Sequence, residues 1–159
     1  YKEPKVFRNG PYAMGYTTSF RMGQLLRFRF EPPAPPSREA DLQRFICTDF
    51  IDAARAVLKA GGYTEIKDGR ESSGVWLLAV RRRIFRVDYD FNVLETAERF
   101  DAIGCGEQYA IGALRALRAL PKNMSPLSMC RRALEIANMS TSGVRGPFKF
   151  THTGEGSRE

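Results

Sequence analysis

Apolar residues change their period several times along this chain, and each change predicts an element. Lys5-Val6-Phe7-Arg8 and Pro11-Tyr12-Ala13-Met14 read as two short strands. Asn9-Gly10 between them is a strong hairpin signal, because both residues tolerate positive φ. Gly15 follows, then Thr17-Thr18-Ser19, one of which is expected to cap a helix. That helix carries Met22, Leu25, Leu26 and Phe30 at helical spacing. Pro32, Pro33, Pro35 and Pro36 then form a stiff, extended connector. A second helix is predicted from about Asp41 to Ala60, with Leu42, Phe45, Ile46, Ala53, Val57 and Leu58 as its apolar stripe and Gly61-Gly62 as its stop.

Tyr63 to Gly74 is polar and reads as a loop. Val75 to Val80 reads as a buried strand, and Arg81-Arg82-Arg83 as a hairpin turn. A cleaner strand follows, with Phe85, Val87, Tyr89 and Phe91 alternating with Arg86, Asp88 and Asp90. Val93-Leu94-Glu95 adds a short strand, and Phe100 to Gly104 a further one that ends in Gly104-Cys105-Gly106. A helix opens at about Glu107, and its small residues Ala110, Gly112, Ala113 and Ala116 permit close approach. Ser125-Pro126 starts the next helix, an N-cap followed by proline in the first turn, with Leu127, Cys130, Leu134 and Ala137 on one face. Phe148 to Phe150 alternates as a last strand, and residues 154–159 read as a disordered tail. Two helix pairs separated by antiparallel strands imply a layered α+β sandwich; a doubly wound parallel sheet would alternate strand and helix.

Composition narrows the picture. The 159 residues suit a single domain, taken as 1–153, and 43% hydrophobic with 27% charged residues is a globular balance. No apolar run reaches the ~18 residues of a membrane span. No charged-then-apolar leader opens the sequence, so no signal peptide is expected. Tyr1 in place of Met suggests a processed product or a fragment. The excess of 25 Lys plus Arg over 18 Asp plus Glu favours acidic partners. The basic residues are spread along the chain, however, and no nucleic-acid-binding module is recognisable. Cys47, Cys105 and Cys130 lack CxxC spacing and His152 is the single histidine, so a Cys/His zinc site has no support. Three scattered thiols suit a reducing compartment.

Gly104-Cys105-Gly106-Glu107 holds the most specific chemistry. A thiol at a helix N-terminus is a potential nucleophile, and the flanking glycines allow close backbone approach. Tyr109 occupies the third glycine position of a dinucleotide fingerprint, which therefore fails. A Cys105–His152 pair and a purely structural turn both stay open.

Together these pieces resemble the proteasome β-subunit family. The resemblance rests on Lys5-Val6-Phe7, on Ala13-Met14-Gly15-Tyr16-Thr17-Thr18-Ser19, on the segment from Phe100 to Ala110 with its Ala102-Ile103-Gly104-Cys105-Gly106 core, and on the helix from Leu127 to Ala137. It implies a four-layer αββα sandwich of N-terminal nucleophile hydrolase type, a peptide or protein substrate, a homo-oligomeric ring, no cofactor, and the cytoplasm of a bacterium or phage host. In that family a Thr, Ser or Cys at the mature N-terminus attacks an amide carbonyl with its own α-amino group as base; an α-amino pKa of ~7.7–8.0 suits that task. Lys5 falls on the lysine that helps keep this amine neutral. Thr17, Thr18, Ser19 and Gly106 fall along the substrate cleft, and backbone donors there supply the oxyanion hole. Cys105 falls where the family has a supporting serine.

The departures are as specific. The family's strand pair bearing the nucleophile and an acidic residue has no counterpart ahead of Lys5, and a second family acid aligns with Met139. The expectation is that roughly 30 upstream residues, two strands with their turns, complete the active chain. A non-catalytic subunit of the same ring is the alternative.

Overall fold

A computed structural model describes residues 2–121 and 124–153. The reading of residues 154–159 as a tail therefore lies outside the described residues. Strand β1 (Val6–Asn9) pairs antiparallel with β2 (Tyr12–Tyr16). The turn between them is centred one residue later than expected. Gly10 has φ +57° and Pro11 comes second, and proline's fixed negative φ excludes the I′ turn in favour of the II′ pattern. Asn9 is thereby freed to donate its side-chain amide to the Leu26 and Phe30 carbonyls, at 3.1 and 2.7 Å, closing the end of helix α1 (Phe20–Phe28). Ser19 caps that helix by accepting from the Arg21 amide at 3.1 Å.

The second predicted helix runs through residues 42–60 in three parts: α2 (Leu42–Phe45), one π-helical turn (Ile46–Phe50), and α3 (Ile51–Ala60). The wide turn shifts the buried stripe to Leu42, Ile46, Phe50, Ile51, Ala54 and Leu58, so Phe45, Ala53 and Val57 are only partly buried. Residues Tyr63 to Gly74 are more than a loop: β3 (Glu65–Lys67) and β4 (Arg70–Ser72) form a small hairpin. Its turn, Asp68-Gly69, has both φ values positive, at 51° and 75°.

Strands β5 (Trp76–Val80), β6 (Arg83–Val87) and β7 (Val93–Glu95) complete a five-stranded antiparallel sheet in the order β1-β2-β5-β6-β7. Arg81 and Arg82 make the expected turn, with φ of 48° and 65°. The chain leaves the sheet after Val87, earlier than the alternation through Tyr89 and Phe91 suggested. Phe91 donates its amide back to Asp88 and takes φ +62°, and Tyr89 is exposed. One face of the sheet, with Phe7, Tyr12, Met14, Tyr16, Trp76, Leu78, Val80, Phe85 and Val87, packs with α1, α2 and α3 into the main core.

Helices α4 (Glu107–Arg118) and α5 (Pro126–Ser140) pack on one another around a second, smaller core of Ala110, Ala113, Leu114, Ala133 and Ala137. Ser125 caps α5 with Pro126 at its first turn. The apolar faces turn differently from expectation: Leu127, Cys130, Gly112 and Ala116 lie outward. Phe100 to Gly104 and Phe148 to Phe150 are not strands. Each has the alternation of one, but a strand exists only where another backbone accepts its ladder, and no such ladder reaches either segment among the described residues.

Candidate active-site groove

The site lies between the two cores. Lys5, just before β1, has its backbone carbonyl held by the Tyr16 amide at 3.0 Å, and its ammonium rests 5.2 Å from the centroid of the Phe20 ring. Thr17, just past β2, donates its amide to the Val75 carbonyl at 3.1 Å. Facing them, residues 104–106 turn into α4. Gly104 takes φ +97°, and a Cβ there would lie 3.1 Å from Thr17 Oγ1. The positive φ favours glycine, and the added Cβ would sit tightly against the hydroxyl. A Cβ on Gly106 would fall 2.6 Å from Val144 Cγ2, so the turn also fits closely against the chain beyond α5.

These walls enclose a groove of about 570 Å³, lined among others by Lys5, Thr17, Ile103, Cys105, Gly106 and Val144. Of the residues singled out from the sequence, Lys5, Thr17, Cys105 and Gly106 come together here. Thr18 and Ser19 do not line it. Thr18 is exposed, at φ +73°, with its hydroxyl 3.4 Å from the Val75 amide, and Ser19 is the cap of α1. His152 does not line it either. Cys105 is exposed, and its Cβ stands 2.7 Å from where a Cβ on Gly143 would be.

Sequence reasoning missed the far wall, residues 143–149, and the charged group behind the turn. Arg86, alternating outward on β6, donates from Nε to Asp88 Oδ1 and from Nη1 to Glu107 Oε1, both at 2.8 Å. Its pKa is raised by those two hydrogen bonds. Burial pushes the nearby Asp101 carboxyl above its ordinary value, against the pull of the Ala102 amide and of Arg86. The alternation of β6 placed Arg86 on the face away from the main core, and an arginine there was the available signal.

No protein-family model and no curated protein matches the chain. Solved structures do. Thiobacillus denitrificans BPH, alone and in complex with epoxomicin, superposes with a TM-score of 0.72 at 26% identity, covering 92% of this chain and 76% of that one. The resemblance to the proteasome β-subunit-like family is borne out. Eukaryotic HslV from Trypanosoma brucei superposes with a TM-score of 0.56 over 89% of this chain and 76% of its own, at 20% identity, a likeness of fold alone. The proteasome-like chain is mixed α/β with antiparallel sheets, and no helix among its described residues is long and apolar enough to cross a membrane.

Proposed function

We propose that this proteasome-like chain hydrolyses amide bonds, those of peptides, in the groove between Lys5 and the 104–106 turn. The observation that carries the reading is the meeting of Lys5, Thr17, Cys105 and Gly106 on one groove, from three separate stretches of sequence. Lys5 is the catalytic residue of this chain. Its ammonium, beside the attacking residue, lowers the proton affinity of that residue's α-amine and stabilises negative charge as the tetrahedral intermediate forms. Cys105 supports by hydrogen bonding, and Thr17 and Gly106 contact the substrate, while Thr18 and Ser19 stand outside the groove.

The nucleophile comes from a strand pair preceding Lys5, which also builds a further sheet. Its edges would pair with residues 100–104 and 148–150, converting two alternating but unladdered segments into strands and completing a four-layer αββα sandwich over residues 1–153. Homo-oligomeric rings are the assembly in which such a cleft works, within the cytoplasm of a bacterial or phage-infected cell. The experiment is N-terminal sequencing and intact mass of the full-length expressed protein, with peptide hydrolysis by wild type and Lys5→Ala. Processing to a Thr, Ser or Cys about two strands upstream, and a loss of at least ~10²-fold in turnover for Lys5→Ala, are expected. A mature chain without such a residue sinks the reading.

A second reading, a non-catalytic ring subunit, has one observation in its favour. Met139, aligned with a family acid, is 76% exposed at the end of α5 and offers no carboxylate to the groove. The same sequencing separates the two.

A further inference from the structure

We propose that Arg86 is a positioning residue for the groove: one guanidinium pins both ends of the segment that carries Gly104-Cys105-Gly106. The proposal deepens the hydrolase reading and rests on it for its functional half.

The sheet register puts Arg86 in a row with Leu77, Gly15 and Val6, on the face away from the main core. From there its Nη1 donates to two places. One is the Ala102 carbonyl at 3.5 Å, where the segment leaves residues 100–101. The other is Glu107 Oε1 at 2.8 Å, on the first residue of α4. Nε is fixed meanwhile by Asp88 Oδ1 at 2.8 Å, so the planar fork has little freedom to swing. Between the two pinned ends the backbone makes its unusual turn. Gly104 sits at φ +97°, the Glu107 amide donates back to the Gly104 carbonyl at 3.0 Å, and the Ala110 amide donates to Gly106 at 3.0 Å. The α4–α5 pair has a core of its own, so the placement of this turn against Thr17 and Lys5 depends on what ties the pair to the sheet. Arg86 is a direct tie. Without its charge, Asp88, Asp101 and Glu107 would face one another unneutralised, and the turn would relax away from β6. Lysine is no substitute, since a single ammonium cannot reproduce separate Nε and Nη1 contacts in one plane.

The test is peptide-resolved amide hydrogen exchange on the full-length chain, for wild type, Arg86→Ala, Arg86→Lys and Glu107→Gln, with peptide hydrolysis measured in parallel. Arg86→Ala should speed exchange across residues 103–110 about tenfold, the lower end of what losing a charged hydrogen bond does to a local opening, while Trp76 to Val80 stays protected. Glu107→Gln, which asks the same question if Arg86→Ala does not fold, should give a smaller rise in the same segment. In hydrolysis, kcat should fall with KM little changed, and Arg86→Lys should recover only part. Unchanged exchange at 103–110, an equal rise in β5, or a loosened turn with kcat intact would each overturn the proposal. If the wild type cleaves no peptide, the hydrolase reading falls, and the exchange data still decide whether Arg86 holds the turn.

Discussion

The two halves of the molecule bury their apolar residues in different ways. The sheet with α1, α2 and α3 encloses large side chains, Trp76, Tyr12, Phe50 and Phe85 among them, with almost no exposure. Phe50 is their hub: its ring stands 4.9 Å from Tyr12, 5.2 Å from Phe30 in an edge-to-face contact and 6.0 Å from Trp76. The α4–α5 pair encloses four alanines and one leucine. Alanine has little apolar area to remove from water, so this pair gains far less from its own packing. One half carries a large core of its own, and the other a small one that leaves more of its placement to its ties with the sheet.

The widest separation of the halves comes from cutting into each core. Phe50→Ala should cost ~3–5 kcal/mol, because it removes a ring from a close-packed aromatic cluster that cannot collapse. Leu114→Ala, at the margin of the alanine core, should cost no more than about 2 kcal/mol, the low end for such truncations. Denaturant midpoints of the two variants measure the gap. Equal losses would mean that the halves share one core.

Glycine substitutions sharpen the comparison at smaller scale. A Cβ on Gly23, in α1, would lie 2.1 Å from the Tyr16 ring, so the ring or the helix must move. Gly23→Ala should lose ~1–3 kcal/mol, the usual cost of overpacking. Gly112, in α4, has nothing within 4 Å of the same added atom. Gly112→Ala should gain ~0.5–1 kcal/mol through helix propensity and a less flexible unfolded chain. Thermal melts of the pair read opposite signs, and a destabilised Gly112→Ala would show that α4 packs on something through that face.

The same division explains what could be read from the sequence. Elements with local causes were legible. Ser19 and Ser125 cap helices, Arg81-Arg82 turns a hairpin, and Phe85 and Val87 alternate into a core. The Asp68-Gly69 pair carries an equally local hairpin signal inside a stretch whose polarity reads as loop. Features set by distant partners were not. The π turn at Ile46–Phe50 redirects a stripe whose residues all look apolar. Residues 100–104 and 148–150 have strand pattern without a ladder, since pattern gives a strand's faces and not its neighbour. In the groove, Lys5, Thr17, Cys105 and Gly106 could be found because a family resemblance supplied the third dimension. Arg86 could not, because the alternation that gave its face does not say which carboxylates wait there.

The smallest effects, and the most local, are protonic. Glu71 and Asp101 shift in opposite directions. The hydrogen bond from Arg55, whose Nη2 lies 2.8 Å from Glu71 Oε2, outweighs burial and holds the Glu71 carboxyl below its ordinary 4.5. A carboxylate depressed by folding stabilises above its unfolded pKa, and that contribution is lost as pH falls through the folded value. Acid that protonates Glu71 should therefore loosen the β3–β4 hairpin from α3. Asp101 is pushed above its ordinary 3.8, chiefly by burial. Its contribution has the other sign: it is fully present below the unfolded pKa and is lost as pH rises through the folded one, where a buried charge must be carried beside Arg86. Carboxyl-selective NMR titration should find Glu71 titrating below 4.5 and Asp101 above 3.8, and Arg86→Ala should move Asp101 further up, since Arg86 is among the groups holding it down. If Asp101 titrates at or below its ordinary value, the acidic pocket behind the 104–106 turn is open to water. The Arg86–Glu107 tie would then be screened by water, and the contrast between a large-cored half and a tethered one would lose much of its electrostatic support.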